Sequence, residues 1–263
     1  MKFVEQELLK IKIKLQTSFD DPLEKDCLKN FVSSGSKFIR SKLAILYLKS
    51  HNIEISNDIL NILISGEIIH NASLLHDDVI DNADFRRGKT SISKEFSPKI
   101  SILAGDFLIS KAIEKLLELK NFEIIKIFKD CTQKMSEAEI KQFFLRKQIP
   151  SKKEYLKICE GKTAALFASI LESCAIISGI QREKARIFGE LFGTYFQIKN
   201  DLDINSSNAD KLNNIYTAKD ILGIENTKNL LDNYIEEMSI LLEELPNKIY
   251  KKELEDLIQT YDK

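Results

Sequence analysis

The sequence predicts an all-α protein. Residues that break helices are scarce, with four prolines and nine glycines among 263 residues, while Leu, Ile, Lys and Glu are abundant. Apolar residues recur at helical intervals from Ile59 to Leu74, which predicts a long helix there. The chain shows no Gly/Ser-rich linker, low-complexity tract or fixed-period repeat. Residues 1–263 are therefore predicted to form a single domain.

The composition argues against several classes of protein. The formal net charge is −1, so neither nucleic acid nor an anionic membrane is expected as the main partner. The N-terminus has acids where a signal peptide needs an apolar core. The longest apolar segment, residues 164–179, is shorter than a membrane span and contains Glu172, which favours a buried helix. Four separated cysteines without CxxC spacing favour reduced thiols. We expect a cytoplasmic protein without a membrane span.

Acidic residues crowd at the end of the predicted long helix. Asp77 and Asp81 are four residues apart and share a helix face, and Asp78 and Asp81 are three apart and also neighbours. Such like charges repel, so a cation between them is expected, and carboxylate oxygens suit Mg²⁺. Asp84 is expected to lie on the same face. The sequence thus predicts Asp77, Asp78 and Asp81 as metal ligands.

A basic run follows the acids at once. Arg86 and Arg87 supply planar donors for phosphate oxygens, and Lys89 adds a point charge. Gly88 allows the segment to turn back toward the acids. Acids alone would indicate a metal or a solvated helix end, but acids with adjacent arginines predict a phosphate group bridged by a metal.

The segment HDDVIDNADFRRGKTS resembles the first aspartate-rich motif of the all-trans polyprenyl diphosphate synthases, which condense isopentenyl diphosphate with allylic diphosphates. Other segments match this family over about residues 30–222. The resemblance implies a single antiparallel helix bundle around a central cavity, of the isoprenoid synthase type. It also implies Mg²⁺ as the cofactor and a homodimer as the assembly.

Two cations near the N-terminal third resemble the diphosphate-binding K-x-x-R of the family's GGKRLRP segment. They are Lys37 and Arg40, three residues apart. We expect them on one face of a helix that starts near Lys37, with Ser36 as its N-cap. The resemblance implies that both bind isopentenyl diphosphate.

A histidine two turns before the acids matches the same family. His70 stands in IHNASLLHDD, which resembles the family pattern IHxxSLxHDD, and the resemblance implies that His70 and Arg87 bind the same diphosphate. His76 is expected to support the helix end. Gly105, within a predicted helix, is expected to permit a close approach of another helix.

The segment EGKTAALF resembles the family's KTaaLf element. The resemblance implies that Lys162 and Thr163 bind the leaving diphosphate, and Glu139 with Gln142 has the spacing of the family's E-x-x-Q element near the allylic substrate. Lys162, together with Arg86 and Asp77, is assigned a catalytic role.

The family's second aspartate-rich motif, FQxxDDxLD, is altered in this chain. The segment reads FQIKNDLDI, so Asn200 replaces the first acid, Asp201 is kept, and Ile204 stands at the third acid. The resemblance implies that Gln197 binds substrate and Asp201 binds Mg²⁺. Lys211 is the candidate for the substrate-binding lysine downstream.

The function implied by the resemblance is a trans-prenyltransferase that ionises an allylic diphosphate with Mg²⁺ and joins it to isopentenyl diphosphate. Ala72 stands where a bulky aromatic stops chain growth in the family, so a product of C20 or longer is expected. The altered second motif keeps open a non-catalytic or regulatory subunit of a heteromeric synthase. A terpene cyclase is the third alternative, and it would have no use for Lys37, Arg40 and His70.

Overall fold

The computed structural model describes residues 2–17, 28, 30–33, 36–146, 148–202, 213 and 215–260. These residues are predominantly helical, with one short hairpin, so the all-α prediction is confirmed. The chain separates into two compact units. Unit 1 comprises Met1–Lys49 with Ile53–Ile125, and unit 2 comprises Ser50–Asn52 with Lys126–Lys263. The assignment of one domain to residues 1–263 stays a prediction.

Unit 1 is built on one long buried helix. The elements are α1 (Lys2–Gln16), α2 (Asn30–Ser33), α3 (Ile39–Ser50), α4 (Asn57–Ile80), β1 (Phe85–Arg86), β2 (Lys89–Thr90), α5 (Ile92–Glu95) and α6 (Pro98–Glu118). Helix α4 begins after Ser56, whose side chain accepts a hydrogen bond from the Ile59 amide. It packs along α6 and is buried on most of its faces, which explains its nearly continuous apolar run.

The predicted close approach at Gly105 is confirmed. The neighbour is the ring of His76 on α4, which a Cβ atom at residue 105 would overlap. The His76 Nε2 atom lies 3.3 Å from the Ile102 carbonyl oxygen and 3.3 Å from a carboxylate oxygen of Asp106. His76 therefore joins the end of α4 to α6.

Unit 2 consists of helices around a buried apolar core. Its elements are most of α7 (Phe122–Phe144), α8 (Lys152–Cys159), a π-helical turn (Glu160–Ala164), α9 (Ala165–Ser178), α10 (Arg182–Asn200), α11 (Ala218–Leu222), α12 (Ile224–Leu242) and α13 (Lys248–Thr260). A capping box of Ser151 and Glu154 opens α8. Gly179, with φ +68°, ends α9 in the left-handed conformation.

Helices α9 and α10 approach each other through two glycines four residues apart. A Cβ atom on Gly189 would lie 2.7 Å from the Ala168 Cα, and one on Gly193 would overlap the Ala164 Cα. The obstacle at both positions is backbone. The absence of these two side chains lets the helices pack closely.

Helix α9 is the core helix of unit 2. The run Lys152–Ser178, found among the described residues, is long and apolar enough for a membrane span by length and composition, but 72% of its most apolar window is buried inside the protein. Glu172 within it is paired with Arg182, whose Nε and Nη2 atoms both lie 2.7 Å from one carboxylate oxygen. Burial by neighbouring helices thus accounts for the apolar character of α9.

Alanine substitutions should separate the two kinds of glycine contact. We expect Gly193→Ala to lower the free energy of unfolding by about 1–3 kcal/mol, because the backbone of Ala164 cannot move without shifting α9. Gly105→Ala should cost less, because the His76 ring can rotate away. Urea denaturation of both variants measures this difference, and a Gly193→Ala protein as stable as the wild type would contradict the close packing.

Candidate active site

The acids lie where the sequence predicts, at the C-terminal end of α4. Asp77 and Asp78 are in its last turn, and Asp81 is the C-cap, with its amide 2.8 Å from the Asp77 carbonyl oxygen. The C-terminal end of a helix carries partial negative charge. Carboxylates there are therefore repelled both by the helix end and by one another. Asp84 does not join this group, contrary to expectation: it lies beyond the helix, is 57% exposed, and pairs with Lys94 at 3.1 Å.

The basic run turns back as a two-residue hairpin. Arg87 (φ +53°) and Gly88 (φ +76°) form the turn between β1 and β2, and positive φ at both positions is what such a turn requires. The turn returns Arg86 to the end of α4. Its Nε and Nη2 atoms lie 2.7 and 2.6 Å from Oδ1 of Asp78.

Asp78 is fully buried, and hydrogen bonds from the described residues reach only one of its two carboxylate oxygens. Arg86 binds Oδ1, whereas Oδ2 has no hydrogen-bond partner among the residues that the structure describes. Burial raises the pKa of Asp78, the charge of Arg86 opposes that shift, and Asp81 adds to it. An open, buried carboxylate oxygen beside Asp77 and Asp81 suits a divalent cation.

Two of the cations predicted for isopentenyl diphosphate, Arg40 and Arg87, act through their charge on His70. Burial of its ring lowers the pKa of His70 well below the ordinary value, and the positive charges of Arg40, Arg87 and Arg86 lower it further. The ring is therefore neutral at pH 7 and offers one donor and one acceptor. In unit 1, three arginines thus act through their charge on a neutral histidine.

Two buried polar residues that were not predicted from the sequence interact with these cations. Asn71 accepts a hydrogen bond from Nη1 of Arg87 at 3.1 Å and donates to the Glu67 carbonyl oxygen at 2.7 Å. The Glu67 carboxylate accepts bonds from the Ser41 amide and hydroxyl at 3.2 and 2.7 Å. Burial raises the pKa of Glu67, and Arg40 is among the groups that oppose the shift. A glutamate inside a long apolar run was the available signal.

The helix predicted to start near Lys37 is present, but the predicted N-cap and the position of Lys37 on that helix were wrong. Helix α3 begins at Ile39, and Phe38 has φ +48°, which a helix cannot contain. The Ser36 hydroxyl accepts a bond from the Phe38 amide at 3.3 Å and does not cap the helix. Lys37 is exposed before the helix, so it does not share a helix face with Arg40.

In unit 2 the π-helical turn presents Lys162 to α7. Lys162 forms an ion pair with Glu139, and its Nζ atom lies 2.9 Å from Oε1 of Gln142. The E-x-x-Q pair and the KT element, matched separately in the sequence, therefore meet. Gly161 makes this possible, because a Cβ atom there would lie 2.7 Å from the Ala138 Cβ. Single π-helical turns occur frequently at functional sites.

Thr163, Gln197 and Asp201 form one hydrogen-bonded chain. The Thr163 hydroxyl donates to Oε1 of Gln197 at 2.8 Å, and Nε2 of Gln197 donates to Oδ1 of Asp201 at 2.8 Å. Oδ2 of Asp201 accepts from the Tyr155 hydroxyl at 2.5 Å and from the Ala218 amide at 3.3 Å. Both oxygens of Asp201 therefore bind protein donors where the sequence predicted Mg²⁺. Lys211 lies outside the described residues.

Within the parts of the chain that the structure describes, no three or more Asp, Glu, His or Cys side chains are arranged to hold a metal ion. Mg²⁺ differs from metals held in such clusters, because it commonly uses one or two carboxylates and completes its shell with water and substrate phosphate. The acids at the end of α4 match that donor set.

The buried pair of Asp78 and Arg86 should dominate the stability of unit 1. We expect Arg86→Gln to lower the free energy of unfolding by about 3–5 kcal/mol, because it leaves a buried carboxylate without its cation. Adding Asp78→Asn should recover part of that loss. The control is Lys94→Gln, which removes an exposed pair with Asp84 and should cost less than about 1 kcal/mol. Equal losses in chemical denaturation of Arg86→Gln and Lys94→Gln would contradict the burial.

His70 should make stability depend on pH. The folded state resists protonation of His70, whereas the unfolded chain binds that proton near pH 6.5. Its contribution to stability is therefore complete above that pH and is lost as the pH falls toward the folded pKa. Urea denaturation at about pH 7.5 and about pH 5.5 should show a smaller loss for His70→Gln than for the wild type. An unchanged loss in His70→Gln would refute the assignment.

Similarity to known proteins agrees with this geometry. The family model described as polyprenyl synthetase matches residues 21–234. Octaprenyl diphosphate synthase of Haemophilus influenzae is 35% identical over 185 residues, which cover 69% of this chain and 56% of that protein, so the chain spans little more than half of its length. Geranyltranstransferase of Thermotoga maritima shares the fold with a TM-score of 0.88 and 26% identity over 99% of both chains. A polyprenyl synthase of Caulobacter crescentus, complexed with calcium and isoprenyl diphosphate, shares the fold with a TM-score of 0.89 at 21% identity, over 98% of this chain and 94% of that one. The chain belongs to the polyprenyl synthetase family.

Proposed function

We propose that the chain is a trans-prenyltransferase. It would condense isopentenyl diphosphate with an allylic diphosphate, with Mg²⁺, to make a longer all-trans polyprenyl diphosphate. Family membership supports this reaction, and one observation in this chain carries it. Three arginines act through their charge on a neutral histidine of α4, the helix that ends in the acids, and this is a donor set suited to a diphosphate near a metal ion.

Arg40, His70 and Arg87 would bind isopentenyl diphosphate. A guanidinium group binds two phosphate oxygens at once, and the neutral imidazole can donate one further bond without adding charge. Asn71 fixes one nitrogen of Arg87 before substrate arrives. A preorganised site of this kind loses less entropy when the substrate is held for reaction. Lys37 is exposed and would add a point charge.

Mg²⁺ would be held by Asp77, Asp81 and the open Oδ2 oxygen of Asp78. Its contribution when bound is to neutralise charge on the allylic diphosphate. The residues of the chain have separate tasks. Arg86 would add positive charge at the end of α4, and Lys162 would donate a bond to the departing diphosphate. The Thr163 hydroxyl, predicted as a second donor to that diphosphate, donates to Gln197 instead. Glu139 and Gln142 hold the Lys162 ammonium group in place.

A product of C20 or longer belongs to the same proposal. Ala72 is buried in α4, and its small side chain offers no aromatic barrier near Asp77. The similarity to an octaprenyl diphosphate synthase supports long products. The homodimer and the cytoplasmic location stay predictions from the sequence.

One observation favours a second candidate, a non-catalytic subunit of a heteromeric synthase. Asn200 replaces an acid of the second motif, and both carboxylate oxygens of Asp201 are occupied by protein donors. A neutral amide oxygen binds Mg²⁺ less strongly than a carboxylate does. The intact acids and arginines around α4 favour the catalytic assignment over this one.

The purified chain alone, incubated with Mg²⁺, labelled isopentenyl diphosphate and farnesyl diphosphate, should yield dephosphorylated products of C20 or longer. Lys162→Met should lower kcat by about 100-fold or more, because it removes a cation from the leaving group. Lys157→Met, at an exposed lysine of α8, is the matched control and should keep wild-type turnover.

Two results would overturn parts of the proposal. No incorporation with any allylic primer, from a folded sample, would favour the subunit. Farnesyl diphosphate as the sole product from shorter primers would contradict the assigned chain length but not the reaction.

A further inference from the structure

A single buried carboxylate joins three helices of unit 2. Asp201 is the C-cap of α10 and is 6% exposed. It accepts a bond from Tyr155 on α8, which is 5% exposed, and another from the amide of Ala218, the first residue of α11. The third bond comes from Gln197, one turn earlier on α10. Three donors offset much of the cost of burying this charge.

The bond from Gln197 also fixes the direction of its amide group. Nε2 donates to Asp201, so Oε1 must face the other way, toward the Thr163 hydroxyl that donates to it. The hydroxyl hydrogen of Thr163 is thereby committed, and its oxygen keeps acceptor capacity. Thr163 follows Lys162 in the π-helical turn, so the chain of bonds that begins at Tyr155 ends beside the lysine assigned to the leaving diphosphate.

We propose that Tyr155 and Asp201 are positioning residues, which orient Gln197 so that the second hydrogen of its Nε2 group can donate to the allylic diphosphate beside Lys162, and that Asp201 is not a ligand of Mg²⁺. This inference rests on the proposed function. It divides the second motif between two roles: Gln197 faces the substrate, and Asp201 holds Gln197. An isolated carboxylate could exchange water for a metal ion, but Asp201 would have to release bonds from Tyr155 and Gln197 first.

Removal of one hydroxyl tests the positioning role. Tyr155→Phe should raise KM for the allylic diphosphate about tenfold and leave KM for isopentenyl diphosphate unchanged. Tyr195→Phe is the matched control, because Tyr195 is equally buried on α10 and its hydroxyl donates to the Ile258 carbonyl oxygen at 2.9 Å, outside the chain of bonds. A loss of stability alone would affect both variants alike and would not separate the two KM values. Equal KM values in the two variants would overturn the positioning role.

The metal dependence tests the role of Asp201. Asp201→Asn should raise KM for the allylic diphosphate as Tyr155→Phe does, with no change in the Mg²⁺ concentration for half-maximal activity. Asp77→Asn should raise that concentration about tenfold or more. Calorimetric titration of Mg²⁺ with inorganic diphosphate gives a second measurement that needs no turnover. A shift of the Mg²⁺ midpoint in Asp201→Asn as large as that in Asp77→Asn would refute the inference.

The double variant Tyr155→Phe with Asp201→Asn tests whether the two residues act through the same chain of hydrogen bonds. Residues that act through one chain of bonds are not additive, so the double variant should bind the allylic diphosphate no worse than Asp201→Asn alone. Additive losses would contradict a shared path. If the wild type makes product and Asp201→Asn alters its Mg²⁺ dependence, the inference fails alone. If the wild type neither makes product nor binds Mg²⁺ with diphosphate, the proposed function fails and the inference fails with it.

Discussion

The buried ion pair between Asp78 and Arg86 is the interaction on which the candidate site in unit 1 depends. It ties the hairpin to the end of α4, and this places a guanidinium group against the acids of the last turn. Burial makes the pair costly to form and costly to break, because a lone charge could not stay there. Arg86 satisfies one oxygen of Asp78, and the second has no hydrogen-bond partner in the described part of the chain.

Glu67 and Asp201 are, like Asp78, buried carboxylates that depend on partners inside the protein. Each is a carboxylate within the protein interior, and each is held by hydrogen bonds from a different helix. The charge of Glu67 interacts with those of Arg40 and Arg87 in unit 1, and Asp201 accepts a hydrogen bond from Gln197 in unit 2. Such groups cost stability unless they are fully bonded, and in exchange they give neighbouring polar side chains a defined orientation. In unit 2, Gln197, which is predicted to touch substrate, is held by a carboxylate that does not need to touch it. In unit 1, Glu67 acts on Arg40 and Arg87 through its charge.

Close backbone packing also gives polar side chains of the candidate site a defined position. Gly193 lets α10 lie against the start of α9, and Gly161 lets the π-helical turn lie against α7. Lys162 and Thr163 are carried on that turn, one paired with α7 and the other with α10. A larger side chain at either glycine would move the turn and both of its polar residues together. The glycines therefore position the candidate site without contributing any functional group to it.

The sequence by itself determined the helical class, the acids at the end of α4 and the turn that brings Arg86 back, because spacing along one helix and the φ preference of Gly88 are local properties. Local spacing failed at Lys37, where the left-handed Phe38 delays the helix. Only the tertiary structure decided which donors reach the buried carboxylates: Tyr155 is 46 residues from Asp201, and Ser41 is 26 from Glu67. The resemblance supplied Asp201 as a metal ligand, whereas packing gave it protein partners. A motif fixes which residues are present, but the hydrogen bonds of a buried group depend on the helices that pack around it.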